Sequence, residues 1–136
     1  MICFACRLDV VRLPRTTGQS ELVTKIQKLN EDSTVHGVIV QLPLDTDEVI
    51  DAHLVTNAID PAKDVDGMTT VNEGRLATGN LKAGFVACTP HGCLKLIQST
   101  GVAIKGARAV VIGENENTYY TYQYLGLNFV FKIFQF

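Results

Sequence analysis

Apolar positions along this 136-residue chain follow two spacings, and the change from one to the other marks out its elements. Leu8-Asp-Val-Val-Arg-Leu13 has the β-branched character of a short strand, closed by Pro14. Thr16, Thr17 and Gly18 supply turn and N-cap chemistry. Leu22, Ile26 and Leu29 then recur at i, i+4 and i+7, one face of a helix. Asn30-Glu-Asp-Ser33 ends that helix. Val35 to Leu42 is a mostly apolar run, as expected of a strand covered on both faces. Asp51 is placed to cap a second helix with Leu54, Val55, Ala58 and Ile59 as its apolar side, stopped by Asp60-Pro61.

Ala62 through Gly84 breaks the rhythm. It is polar, contains Gly67, Gly74, Gly79 and Gly84, and reads as a long functional loop. Thr89-Pro90 then predicts a helix start, with a capping hydroxyl and Pro at the first helical position. That helix runs through Leu94, Leu96 and Ile97 to Gly101, a suitable C′ glycine. Ala107 to Ile112 predicts a further buried strand ending at Gly113. The alternation of strand and helix implies an α/β layer structure with a parallel sheet. Beyond Gly113 the pattern changes, and eight of the ten aromatics fall between Tyr119 and Phe136 without a helix period. The stretch Phe129-Val-Phe-Lys-Ile-Phe-Gln-Phe136 is expected to form a β-prone edge and to limit solubility.

Composition narrows the function classes. Hydrophobic residues make up 46% and charged residues 19%, as in a globular domain. The formal net charge of -2 supplies no basic field for nucleic acid or acidic lipid. No apolar run approaches the roughly 20 residues that span a bilayer, and Met1 to Arg7 has the character of neither a signal nor a transit peptide. A cytoplasmic setting is the resulting expectation. Cys3-x-x-Cys6 and Cys88-Thr-Pro-His91-Gly-Cys93 have irregular spacing for a zinc site, so no metal is expected and the thiols are read as small buried groups.

Three polar features fall where the predicted strands end, which is where open α/β sheets receive ligands. Gln41 is either an amide capping a strand end or a group presented to a ligand. Lys63-Asp-Val-Asp-Gly67 is either a solvated turn or a carboxylate able to grip a planar N–H/NH₂ edge by two parallel hydrogen bonds, as a pterin offers. A calcium loop through Asp64, Asp66 and Glu73 fails because Ala62 occupies its first ligand position. Gly113 could open a phosphate loop, but Glu114-Asn-Glu116 follows it and two carboxylates would repel a phosphate.

Gln41-Leu-Pro-Leu44, Lys63-Asp-Val-Asp-Gly67, Asn72-x-Gly74-x-Leu76, Cys88-Thr-Pro-x-Gly-Cys93 and Gly106-x-x-Ala-Val-Val-Ile-Gly113 occur in this order. Together they resemble the methylenetetrahydrofolate dehydrogenase/cyclohydrolase family over about residues 8 to 113. The resemblance implies a parallel-sheet, three-layer catalytic lobe in residues 1–88. It implies only the first helix and strand of a Rossmann-like cofactor lobe in 89–113, with an atypical tail in 114–136. It also implies NADP-dependent oxidation of 5,10-methylenetetrahydrofolate, hydrolysis of the methenyl product to 10-formyltetrahydrofolate, and a homodimer. By the same likeness Gln41 and Asp66 are catalytic, and Val40, Gln41, Leu42, Pro43 and Asp66 contact the folate. Thr89, Pro90 and Gly113 fall on the NADP side.

Two departures accompany the likeness. The family's Tyr-x-x-x-Lys helix, source of its catalytic lysine, has no counterpart in these residues, and neither Lys63 nor Lys82 stands in the matching context. The NADP loop expected after Gly113 is replaced by the aromatic tail. The chain itself is therefore expected to be inactive, with a non-catalytic folate-binding or dimerising fragment as the alternative reading.

Overall fold

A computed structural model describes residues 7–109 and the strand Asn128–Phe129. Helix α1 spans Gln19–Glu31, where Ile26 is buried and Leu22, Val23 and Leu29 pack beside it. The turn before it closes through Thr17 N–H on the Pro14 carbonyl at 3.0 Å, leaving Gly18 at the cap. Helix α2 spans Ala52–Asn57 and is capped as expected, the Leu54 N–H reaching Asp51 Oδ1 at 3.0 Å. Ile26, Val38, Val55 and Ile59 form the core between these helices and the extended segment through Val38. Burying such side chains contributes about 1.5–3 kcal/mol each.

Polar side chains fix the angle between α1 and α2. Asn30 donates Nδ2–H to the Ala58 carbonyl at 2.8 Å, while its Oδ1 accepts the Asp60 N–H at 3.0 Å. At the other end, Gln19 Oε1 accepts the Asp51 N–H at 2.8 Å. Lys63 then closes the C-terminus of α1. Its ammonium donates to the carbonyls of Leu29, Asn30 and Asp32 at 2.9, 2.7 and 2.8 Å. These include carbonyls that a helix end leaves without an internal partner.

Several expectations need correction. Leu8 to Leu13 forms no strand, and Leu8, Val10 and Val11 are exposed. Val35 to Leu42 is reduced to one parallel bridge, Val38 to Asp64, with the Val38 N–H on the Lys63 carbonyl at 2.8 Å. β propensity needs a neighbouring ladder to become a strand, and beyond Val38 the run finds none among the described residues before the cis Leu42–Pro43 bond. The segment 62–84 is not a continuous loop, because helix α3 spans Thr70–Ala77, capped by Thr69 Oγ1 on the Asn72 N–H at 3.3 Å.

Helix α4 spans Cys88–Ser99 and begins earlier than Thr89-Pro90 suggested. Ala87 is its N-cap, without a side-chain cap bond, and Pro90 sits inside the first turn, where its missing N–H costs nothing. Gly101 ends α4 as expected, with φ +76. Cys88 and Cys93 are exposed rather than buried, since α4 turns them to solvent. Of the predicted Ala107–Ile112 strand, Arg108–Ala109 forms β1 and pairs in parallel with β2, Asn128–Phe129. Residues 110–112, Cys3, Cys6, Gly113 and the rest of the tail lie outside the described residues.

Candidate functional site

The single bridge at Val38 and Asp64 organises the polar residues. Because the pairing is parallel, Gln41 and Asp66 follow three and two residues after the paired positions, leaving by the same end. Val40, Gln41 and Pro43 line a cavity of about 270 Å³, together with Leu22 and Ile26 of α1 and Val11. Leu42 lines a second, more open depression, together with Pro43 and Leu44. Gln41 is exposed, and its Nε2 donates to the neighbouring Leu42 carbonyl at 3.2 Å. Arg15 ties the loop after Pro43 to the turn before α1, with Nε 3.1 Å from Asp47 Oδ1 and an Nη 3.2 Å from Asp45.

Asp66 lies outside that cavity's lining, on a turn whose other acid is structural. Asp64 is 1% exposed and fully engaged. Its carboxylate accepts the Met68 N–H at 3.1 Å, the Thr69 N–H at 2.8 Å and Asn72 Nδ2–H at 2.9 Å. Asp66 is half-buried, and among the described residues no donor reaches its carboxylate. Burial, and then the Asp64 charge beside it, hold its carboxyl above the usual aspartate range. A desolvated acid without an internal partner is the kind of group that a ligand donor satisfies.

The same turn meets the start of α4. Gly67 has φ +67, and a Cβ there would stand 2.8 Å from the Ala87 nitrogen and 2.9 Å from the Phe85 oxygen. Asp66 is thus held next to a backbone that packs directly on the entry to Cys88-Thr89-Pro90. Thr89 is exposed on the first turn of α4 and Pro90 is buried in it. Gly113 lies outside the described residues.

Sequence reasoning quoted Asn72 and Lys63 in motifs but gave neither a structural role. The usable signal for Asn72 was Thr69 three residues before it, a cap spacing at the start of a short helix. Nothing in the sequence pointed Lys63 at α1, because its partners lie 31 to 34 positions away. Among the described residues no three His, Cys, Asp or Glu side chains converge on a metal position, and no helix is long and apolar enough to cross a membrane.

Comparison with known proteins shows which family this segment resembles. Residues 4–66 match the family model "Tetrahydrofolate dehydrogenase/cyclohydrolase, catalytic domain". The similarity to that family extends beyond the matched segment. The chain is 59% identical over 106 residues to the cytoplasmic C-1-tetrahydrofolate synthase of Drosophila melanogaster, and 56% identical over 106 to that of Homo sapiens. It spans 78% of itself but only 11% of either synthase. Against the bifunctional protein FolD of Ehrlichia canis it is 47% identical over 109 residues, 80% of this chain and 36% of that one.

Solved members of the tetrahydrofolate dehydrogenase/cyclohydrolase family share the fold, consistent with the α/β class. The bifunctional FolD enzyme of Campylobacter jejuni superposes with a TM-score of 0.81 at 34% identity, covering 90% of this chain and 44% of that one. The Trypanosoma brucei enzyme, solved with NADP cofactor and inhibitor, gives 0.79 at 29% identity, covering 89% and 41%.

Proposed function

We propose that this chain carries the pterin-facing part of a methylenetetrahydrofolate dehydrogenase/cyclohydrolase site. The carrying observation is Asp66, a half-buried carboxylate with a raised proton affinity and no donor among the described residues, on the turn where the family-matched segment 4–66 ends. In this reading Asp66 accepts two parallel N–H bonds from the pterin edge. Val40, Leu42 and Pro43 supply apolar contact, and Gln41 stands where the family's glutamine tunes the catalytic lysine. The substrate is a 5,10-methylenetetrahydrofolate, oxidised to the methenyl form and hydrolysed to 10-formyltetrahydrofolate.

The domain reading that goes with this is a catalytic lobe over 1–88, the start of an NADP lobe over 89–113 and the tail over 114–136. NADP, when bound, accepts the hydride. Thr89, Pro90 and Gly113 are the positions assigned to it. The first turn of α4 suits that assignment, because no side chain caps it and no described acceptor takes the Cys88 or Thr89 N–H. A homodimer completes the reading, and a cytoplasmic setting is in keeping with the names of the C-1-tetrahydrofolate synthases.

The 136-residue polypeptide alone is proposed to bind folate without turning it over. No Tyr-x-x-x-Lys occurs in it, and Lys63 is committed to three α1 carbonyls. Loss of a general acid–base group costs ~10²–10⁴-fold in rate. Two measurements test the proposal. Tetrahydrofolate titrated against the chain is expected to bind, and to bind far more weakly after Asp66→Ala; unchanged binding in that variant refutes the role given to Asp66. NADPH formation with 5,10-methylenetetrahydrofolate is expected to be absent. Turnover within about a hundredfold of a complete family enzyme would refute the inactivity.

A further inference from the structure

We propose that Asn72 is a positioning residue for Asp66, locking the turn that presents that carboxylate to the loop that leads into α4. The inference rests on the folate reading above and goes beyond it, since Asn72 lies in none of the folate or cofactor positions assigned there.

Asn72 is 1% exposed and every polar atom of its side chain is engaged. Its Nδ2 donates to Asp64 Oδ2 and to the Pro61 carbonyl, both at 2.9 Å. Its Oδ1 accepts Arg75 Nη1–H at 2.8 Å. One amide therefore joins the chain before the turn, the buried acid of the turn and helix α3. It also touches the far loop, because a Cβ on Gly84 would collide with Asn72 Oδ1 and stand 3.0 Å from Arg75 Nη1. Residue 84 sits just ahead of Phe85 to Ala87, the backbone against which Gly67 packs.

Asp66 is thus held from both sides while taking no part in the holding. Asp64, two residues before it, is gripped by Asn72; Gly67, one residue after it, is pressed on 85–87. Side chains that only stabilised the turn could be apolar, since replacing a buried polar cluster by packed hydrophobic groups is often neutral or better. A fully satisfied amide–carboxylate cluster instead specifies one geometry. Asparagine suits the position because it donates twice and accepts once there. Aspartate would set a second carboxylate against Asp64, and leucine would supply no bond to any partner.

The test is a double-mutant cycle on the full chain with tetrahydrofolate as the titrated probe, using wild type, Asp66→Asn, Asn72→Ala and the double variant. If Asn72 acts through Asp66, Asn72→Ala weakens binding by about tenfold in the wild-type background and less than about twofold once Asp66→Asn is present. A merely structural role lowers the folded fraction and costs the same factor in both backgrounds; that result overturns the inference and leaves the folate reading standing. Absence of binding by the wild type, or an Asp66→Asn variant that binds as wild type does, overturns the folate reading and the inference with it. Circular dichroism accompanies each titration. Should Asn72→Ala fail to fold, Gly84→Ala replaces it in the cycle, pushing a methyl onto Asn72 Oδ1 from the loop side, with the same pattern expected and the same result decisive.

Discussion

Lys63→Met removes three hydrogen bonds while keeping most of the side-chain stem. The ammonium of Lys63 donates to Leu29 and Asn30 carbonyls at 2.9 and 2.7 Å in part-buried surroundings, and to the Asp32 carbonyl at 2.8 Å in an exposed one. A hydrogen bond to a charged group contributes about 1.5–3 kcal/mol, and less where water can replace the donor. The exposed bond adds little, so the two part-buried ones are assigned about 1 kcal/mol each after partial rehydration. Losing a cation from a helix C-terminus adds about 0.5 kcal/mol. The expected loss is therefore about 2–3 kcal/mol. Urea unfolding followed by the far-ultraviolet helical signal is the assay. With a slope of about 2 kcal/mol per molar urea, the midpoint falls by about 1–1.5 M. Lys28→Met is the control, because Lys28 shares the last turn of α1. It loses only the charge–dipole contribution, about 0.5 kcal/mol. A Lys63→Met midpoint within about 0.3 M of wild type at unchanged slope refutes the capping argument, as does an equal shift in both variants.

Two further outcomes follow from the turn at 64–67. Gly67→Ala forces a left-handed backbone on an L residue and drives its Cβ to 2.8 Å from the Ala87 nitrogen; a loss of about 3 kcal/mol is expected, read as a melting temperature lower by about 10 °C, and a drop under about 3 °C contradicts the packing. Asp66→Asn is expected to stabilise the chain at neutral pH and not in acid. The Asp66 carboxyl is raised above its ordinary 3.8, first by burial and then by the Asp64 charge. The folded state therefore holds that proton more tightly than the unfolded chain does. The cost is absent below the unfolded value, grows as pH rises through the folded one and is complete above it. Urea midpoints of both proteins across pH 3 to 7 check the sign; a difference that shrinks with rising pH contradicts it.

The local chemistry of this chain was legible in its residues, because caps and helix faces are decided within a few positions. Leu22, Ile26 and Leu29 announced α1, Asp51 announced α2 and Gly101 closed α4. The family motifs were likewise readable, since a signature is a property of order and spacing. Strands were not. Val35 to Leu42 is a mostly apolar, β-branched run, yet hydrogen-bonded pairing is supplied by another segment, and among the described residues only Val38 finds one. Helix α3 hid for the opposite reason, with Gly74 and a sparse apolar face masking what Thr69 began. Tertiary structure alone decided that Asp64 is engaged internally while Asp66 meets no donor among the described residues, and that Lys63 bonds to the end of α1. Those assignments depend on which distant donors and carbonyls arrive at each side chain, a fact that no local run of residues contains.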